Sequence, residues 1–250
     1  MTIEILYPEV CNLYADLQNV EYLKRSANGK IDTVSTALHD EPLFATRDDL
    51  AMIYMGSVTE SGQERVIKAL MPYRERIAEL IDKGQLFFIT GNALEIFGEY
   101  IQCEDGSRIE CLGIFPTYAV RKMMNRYNSL WVGQYGDIDV VGFKSQFTQT
   151  YFTNDKEEPD KSVYGKPEGL FMTERGDGIN PGTKEEGYRK NNFFATYLLG
   201  PLFITNPYLA AKMLAKLDCG DSKPLFEKES IESYEKRLKE FREPERGFTY

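Results

Sequence analysis

The chain has one histidine, His39, set in the polar run ALHDEP. A single imidazole excludes any multi-histidine metal centre, and a Ser-His or Cys-His catalytic pair would have to use that residue. Its setting reads instead as a surface loop before a proline. Cysteine is sparse too: Cys11, Cys103, Cys111 and Cys219 show no CxxC spacing and read as free thiols rather than a disulfide framework. Cys103 and Cys111 flank the turn signal Glu104-Asp105-Gly106, which places them on neighbouring strands. No apolar run reaches the roughly 18 residues of a spanning helix. The N-terminal MTIEILYPEV has no basic n-region and no long apolar h-region, so the expectation is a cytoplasmic chain without membrane insertion. Walker A, GxGxxG, HExxH and EF-hand patterns are missing, and no cofactor or metal is expected. Positive charge is also short. Thirty Lys and Arg face 39 Asp and Glu, and the net charge of −9 argues against nucleic acid or an anionic membrane as partner.

What is present suffices for a large core. At 250 residues, 42% hydrophobic and 13% aromatic, the chain is long enough for one sizeable α/β domain. Thr2–Tyr7 alternates as a strand. Asp16 stands where a helix cap belongs, ahead of an apolar face made by Leu17, Val20 and Leu23, with Gly29 closing that helix. Ile31–Leu38 and Leu50–Met55 read as strands, separated by a polar loop. Gln63–Lys83 has helical period, interrupted by Pro72, where a kink is expected. The order of elements up to Tyr100 predicts an α/β fold, a doubly wound, mostly parallel sheet with flanking helices. The second half is β-rich: a hairpin over Ile101–Ile114, then YAVRKMM, SLWVG and DIDVVGF as strands. Asn154–Asn192 reads as a long polar loop, with or without short embedded strands. FFATY is a further strand, Asn206-Pro207 opens a helix, and Glu227–Arg242 is a charged, solvent-facing helix. Residues 1–220 are taken as a single domain and 221–250 as a charged C-terminal helix and tail.

The stretch around which this is organised is Gln85–Tyr100, QLFFITGNALEIFGEY. Leu86 to Thr90 make a short buried strand, Gly91-Asn92 breaks it, and Leu94, Ile96, Phe97 and Tyr100 continue at helical spacing. Asn92 and Glu95 stand at capping-box spacing. A strand, sharp turn and helix of this kind carries the nucleophile in several α/β enzyme classes. Gly91 at the turn has no side chain to attack with.

TGNALEIFG resembles the nucleophile-elbow segment of class I glutamine amidotransferases of the cobyric acid synthase type, and most resembles the amidotransferase subunit of lipid II isoglutaminyl synthase. NLYAD, Leu112–Ile114, Asn125-Arg126, Val141-Gly142-Phe143, Thr150-Tyr151 and ATYLLGP fall in that family's order over roughly residues 5–220. The resemblance implies a cysteine at position 91 and a histidine at position 199, where this chain has Gly91 and Leu199. It further implies that Gly56 lies near an oxyanion loop, although MGSVTESGQE departs from the family's glycine run. It implies that Arg126 contacts substrate glutamine, and that the partner is a Mur-ligase-like ATP-dependent subunit acting on a cell-wall precursor. The expectation is a catalytically silent amidotransferase-like subunit. If only two side chains are missing, Gly91→Cys with Leu199→His should restore weak hydrolysis. Two alternatives stay open at this point. One is an enzyme of altered chemistry using Cys11, Cys103, Cys111 or the Thr90 hydroxyl. The other is a sensor that binds glutamine or another amino acid through Arg126.

Overall fold

The computed structural model describes residues 1–153 and 162–247. Four parallel strands open the fold: β1 (Thr2–Leu6), β2 (Asp32–Thr36), β3 (Leu50–Met55) and β4 (Phe87–Thr90). They lie in the order β2-β1-β3-β4, so β1 has its sequence neighbour on one side and β3 on the other. Such a reversal of strand order leaves a crevice at the carboxyl ends of the strands. Between the strands run α1 (Gln18–Ser26), α2 (Glu60–Leu70) and α3 (Arg74–Asp82). Thr59 caps α2, its Oγ1 accepting from Gly62 N at 3.2 Å. Pro72 has no N–H to give, and the chain passes through one 3-10 turn, Met71–Tyr73, before restarting as α3.

The continuous apolar runs of β3 and β4 are explained by cover on both faces. Ile53, Met55, Phe87 and Ile89 pack with the α2–α3 layer, whereas Met52, Tyr54 and Phe88 pack with the layer of α1 and α5 (Pro207–Lys216). A strand buried on both sides loses its alternation.

After the elbow the chain adds β5 (Tyr100–Gln102), β6 (Arg108–Glu110), β7 (Thr117–Arg121), β8 (Tyr127–Tyr135), β9 (Ile138–Gln146), β10 (Thr148–Phe152), β11 (Glu168–Arg175), β12 (Glu185–Lys190) and β13 (Phe193–Thr196). β13 pairs in parallel with β4, and β12, β11, β8 and β9 extend the sheet in antiparallel fashion to nine strands. The sheet is thus parallel in one half and antiparallel in the other. β10, β7, β5 and β6 form a second, four-stranded sheet. A short helix α4 (Leu202–Thr205) precedes α5, and α6 (Glu227–Arg242) lays Tyr234, Leu238 and Phe241 on Val132 and Val141 of β8 and β9.

Several local expectations need correction. Of the two readings of the long polar segment, the one with embedded strands holds, as β11 and β12; residues 154–161 of it lie outside the described residues. YAVRKMM is strand only to Arg121, and Lys122 to Met124 form a turn. Asn206 does not cap α5: its amide pairs with both the N–H and the carbonyl of Val141, each at 2.8 Å, and closes the edge of β9. Asp16 does not cap α1 either, and Asn92 and Glu95 form no capping box. Asp16, Asn92 and Glu95 are drawn into the site. Cys103 and Cys111 are free thiols on the hairpin, and His39 is exposed in its loop.

Candidate active site

Gly91 follows directly on β4, at φ +63. That left-handed conformation suits glycine and turns the chain sharply from the strand into a 3-10 helix, Gly91–Phe97. The turn is an elbow of the kind that lifts a nucleophile out of a sheet, here without a side chain. Leu199 lies against it: a Cβ built on Gly91 would stand 3.1 Å from Leu199 Cδ2. The two positions singled out by sequence are therefore neighbours in space.

The same Cβ would stand 2.3 Å from Ser57 Cβ, a separation real side chains do not adopt. Ser57, in the loop after β3, has taken the volume a side chain at position 91 would need. It is held there by Asp16. Ser57 N and Ser57 Oγ both donate to Asp16 Oδ2 at 2.6 Å, Thr90 Oγ1 donates to the same oxygen at 3.1 Å, and Gly200 N donates to Asp16 Oδ1 at 2.6 Å. One buried carboxylate thus joins the loop after β1, the loop after β3, the end of β4 and the segment carrying Leu199. Burial pushes the Asp16 carboxyl above its ordinary value, against the pull of these donors.

Gly56, expected beside an oxyanion loop, faces inward. A Cβ there would meet Cys11 O at 2.6 Å and Asp16 Cβ at 2.9 Å, so its lack of a side chain serves close backbone approach. The cavity wall is made by the following residues, Ser57 to Glu60.

Beneath the elbow, Glu95 is fully buried. Its Oε1 accepts from Tyr197 OH at 2.9 Å and from Thr148 Oγ1, and its Oε2 from Gln63 Nε2 at 3.0 Å. Arg121 Nη2 donates to Gln63 Oε1 at 2.6 Å. Burial again raises the Glu95 carboxyl, with Arg121 too indirect to reverse it. Asn92 turns the other way and pairs with both the N–H and the carbonyl of Val58, at 3.0 and 2.7 Å. A second buried group supports the Leu199 segment. Glu186 accepts from Lys144 Nζ at 2.7 Å, from Thr196 Oγ1 at 2.9 Å and from Tyr197 N at 2.7 Å.

Gly91 and Leu199 line a cavity of about 140 Å³. Arg126, solvent-exposed, lines it too. Its guanidinium lies 4.4 Å from the centre of the Phe147 ring and donates weakly to Tyr14 OH and Ser145 Oγ, both at 3.4 Å. Among the described residues no carboxylate pairs with it. Tyr14, itself at φ +55, meets Phe143 edge to face. Sequence reasoning pointed to Gly91, Leu199 and Arg126; NLYAD, quoted for its likeness, contains Tyr14 and Asp16 without assigning them a role, and Ser145 and Gln146 were missed.

No cysteine or histidine lines the cavity. Cys11 and Cys111 are buried, and burial pushes both thiols far above the range in which a thiolate forms. Thr90 Oγ1 is engaged with Asp16 and Tyr54. Cys103 sits out on the β5–β6 hairpin. None of Cys11, Thr90, Cys103 and Cys111 lines the cavity. Among the described residues no group of three His, Cys, Asp or Glu is arranged to hold a metal, and no helix is long and apolar enough to cross a membrane.

The chain matches no family model. Among curated proteins it is similar to the GatD subunit of lipid II isoglutaminyl synthase (glutamine-hydrolyzing). The Streptococcus pneumoniae R6 protein is 25% identical over 219 residues, 86% of this chain and 79% of that protein. The Staphylococcus aureus N315 protein is 24% identical over 216 residues, 86% of this chain and 84% of that one. A solved glutamine amidotransferase aligns with a TM-score of 0.51 over 86% of this chain and 98% of its own, at 11% identity. In sequence the chain is thus a relative of an amidotransferase subunit, and in architecture it has the mixed α/β fold of a glutamine amidotransferase.

Proposed function

We propose that this protein is a catalytically silent glutamine amidotransferase-like subunit of an ATP-dependent, Mur-ligase-like complex that amidates a cell-wall precursor. The observation that carries the reading is the joint lack of a thiol at Gly91 and an imidazole at Leu199, two positions in contact at the elbow. Glutamine hydrolysis by this family needs a thiolate to attack the side-chain amide and an imidazole to shuttle the proton. Losing the nucleophile alone costs on the order of 10⁶ in turnover in a serine protease, so no useful glutaminase is expected here. Such a complex would take free ammonia, and this subunit would contribute its docking surface.

The test is an affinity pull-down of the tagged chain from its native cell extract, followed by an amidation assay on the recovered complex. A ligase-like ATPase at near-equal stoichiometry, amidating with ammonium but not with glutamine, is the expected result. Glutamine-driven amidation that persists when any second amidotransferase is removed would overturn the silent assignment. Recovery of the chain alone would overturn the subunit assignment.

A further inference from the structure

Helix α5 ends at Lys216, and Lys212 stands one turn before it on the same helix face. Lys216 Nζ donates to Asn192 Oδ1 at 3.0 Å and lies 5.3 Å from the centre of the Phe194 ring. Its partners are thus a neutral amide and an aromatic face. Other lysines hold carboxylates: Lys83 pairs with Glu79, Lys144 with Glu186 and Lys223 with Glu227, each at 2.7 Å. Among the described residues no carboxylate pairs with Lys216. The lysine lines two recesses. One, of about 420 Å³, lies beside the first residues of β3 and β4 and is also lined by Asp48, Asp49 and Asp218. The other has an apolar floor that includes Phe88, Phe194 and Met213, and its charged lining residues are Lys212 and Lys216.

These surroundings disfavour the ammonium. Partial burial pushes the Lys216 amine below its ordinary value, and Arg189 and Lys212 add like charge. Two influences run the other way. The carboxyl end of α5 favours a cation at its last residue, and Glu168 shares the charge of Arg189 at 2.6 Å. Burial and like charge prevail. A lysine attacks only as the neutral amine, so this shift makes a nucleophile of it. The side chain stays exposed, so a reagent in solution can reach it. The cations that crowd a third one are suited to an anion, above all one with two negative charges.

We propose that Lys216 is a site of acylation by small acyl phosphates. The phosphate is drawn to Lys212 and Arg189, and Lys216 Nζ attacks the carbonyl carbon. The C–N bond forms as the C–O bond to phosphate breaks, and that electron pair leaves with the phosphate. The one proton that the amine loses passes to the phosphate, so the products are an amide and inorganic phosphate. The acyl phosphate is already activated, and no further reactant enters. The amide keeps one N–H for Asn192 Oδ1. Asn192 itself donates from Nδ2 to Gly84 O at 2.8 Å, and its carbonyl accepts from Phe87 N at 3.0 Å, at the start of β4. Acylation therefore erases a charge and leaves that junction tied. The proposal uses no residue of the elbow or its cavity and is independent of the amidotransferase reading.

The experiment is incubation of the purified full chain with acetyl phosphate at mildly alkaline pH, with acetylation of each lysine followed over time by peptide mass spectrometry. Lys223, held by Glu227, is the reference. Lys216 should react at least about threefold faster, since an ion pair protects the one amine and like charge exposes the other. Lys212→Gln should slow Lys216 by about twofold or more, whereas Lys212→Arg keeps the charge and should leave the rate unchanged. With acetic anhydride, an uncharged reagent, the Lys212→Gln effect should shrink, because charge recruits only the phosphate. Lys212 is exposed, so neither substitution should move the melting temperature. Lys216 reacting no faster than Lys223, or a Lys212→Gln rate equal to that of the native chain, would overturn the proposal. An equal Lys212→Gln effect with both reagents would overturn the assignment to acyl phosphates. The pull-down measures none of these rates, so the subunit proposal stands or falls separately.

Discussion

Restoring the hydrolytic pair is the sharpest test of how this site was disarmed. Gly91→Cys with Leu199→His replaces the two absent side chains, but the cysteine Cβ would meet Ser57 Cβ at 2.3 Å. Holding a side chain at φ +63 costs about 1–2 kcal/mol, and forcing it into the volume of Ser57 about 1–3 kcal/mol more. A loss of about 2–5 kcal/mol lowers the melting temperature of a chain this size by about 4–20 °C. Ser57→Gly removes the clashing atom, so Gly91→Cys should cost less in a Ser57→Gly background. The expected coupling in the double-mutant cycle is about 1–3 kcal/mol, well above the roughly 0.5 kcal/mol scatter of independent sites. Ammonia release from glutamine completes the assay. The double variant Gly91→Cys/Leu199→His should be silent, and the triple variant with Ser57→Gly should hydrolyse glutamine weakly. Additive melting temperatures, or hydrolysis by the double variant equal to the triple, would refute the claim that Ser57 occupies the nucleophile's place.

Asp16→Ala would strand Ser57 N and Gly200 N in the interior; at about 1–3 kcal/mol for each, urea denaturation should register a loss of about 2–6 kcal/mol, and a neutral result would show that the carboxylate is not the hub described. Glu95 holds its proton more tightly in the folded chain than when unfolded, because burial raises its carboxyl. Its contribution to stability is therefore full below the unfolded value of about 4 and falls as pH rises through the folded one. The urea midpoint of Glu95→Gln should gain on that of the native chain between pH 4.5 and 7.5, and parallel pH profiles would contradict this. Lys144→Met removes the cation of the buried Lys144–Glu186 pair and should cost about 3–5 kcal/mol. Arg189→Ala, which breaks an exposed pair with Glu168, should change the same urea midpoint by less than about 1 kcal/mol.

The parts of this fold that could be read ahead of the structure are those decided locally. Leu50–Met55 emerges with the bounds its apolar run suggests, because burial on both faces leaves no polar residue to blur them. Glu227–Arg242 does so because helical charge spacing is a local property, and the break at Pro72 follows from a missing N–H. What escaped was decided at a distance. β12, EEGYRK, looks like loop, yet it is a central strand, since Glu186 finds Lys144 from β9 and Tyr188 OH finds Leu94 O. Asp16 has the identity and position of a helix cap, but donors from residues 57, 90 and 200 outcompete the N–H groups of its own helix. Asn92 and Glu95 are lost to the same competition. At the site, Gly91, Leu199 and Arg126 were legible by likeness to a family, whereas the filled volume at Ser57 exists only in three dimensions.

The Asp16 hub also constrains the order in which this molecule can assemble. Its bonds close loops of 41, 74 and 184 residues, the longest being the one from Gly200. Loop-closure entropy must be met before contacts of such separation reward the chain, and contacts of this kind form late. During synthesis the β1–β4 layer can condense while the carboxylate of Asp16 still lacks its last donor. The cavity closes only when the segment around residue 200 has emerged and docked, so a product truncated ahead of it would carry the elbow and no pocket.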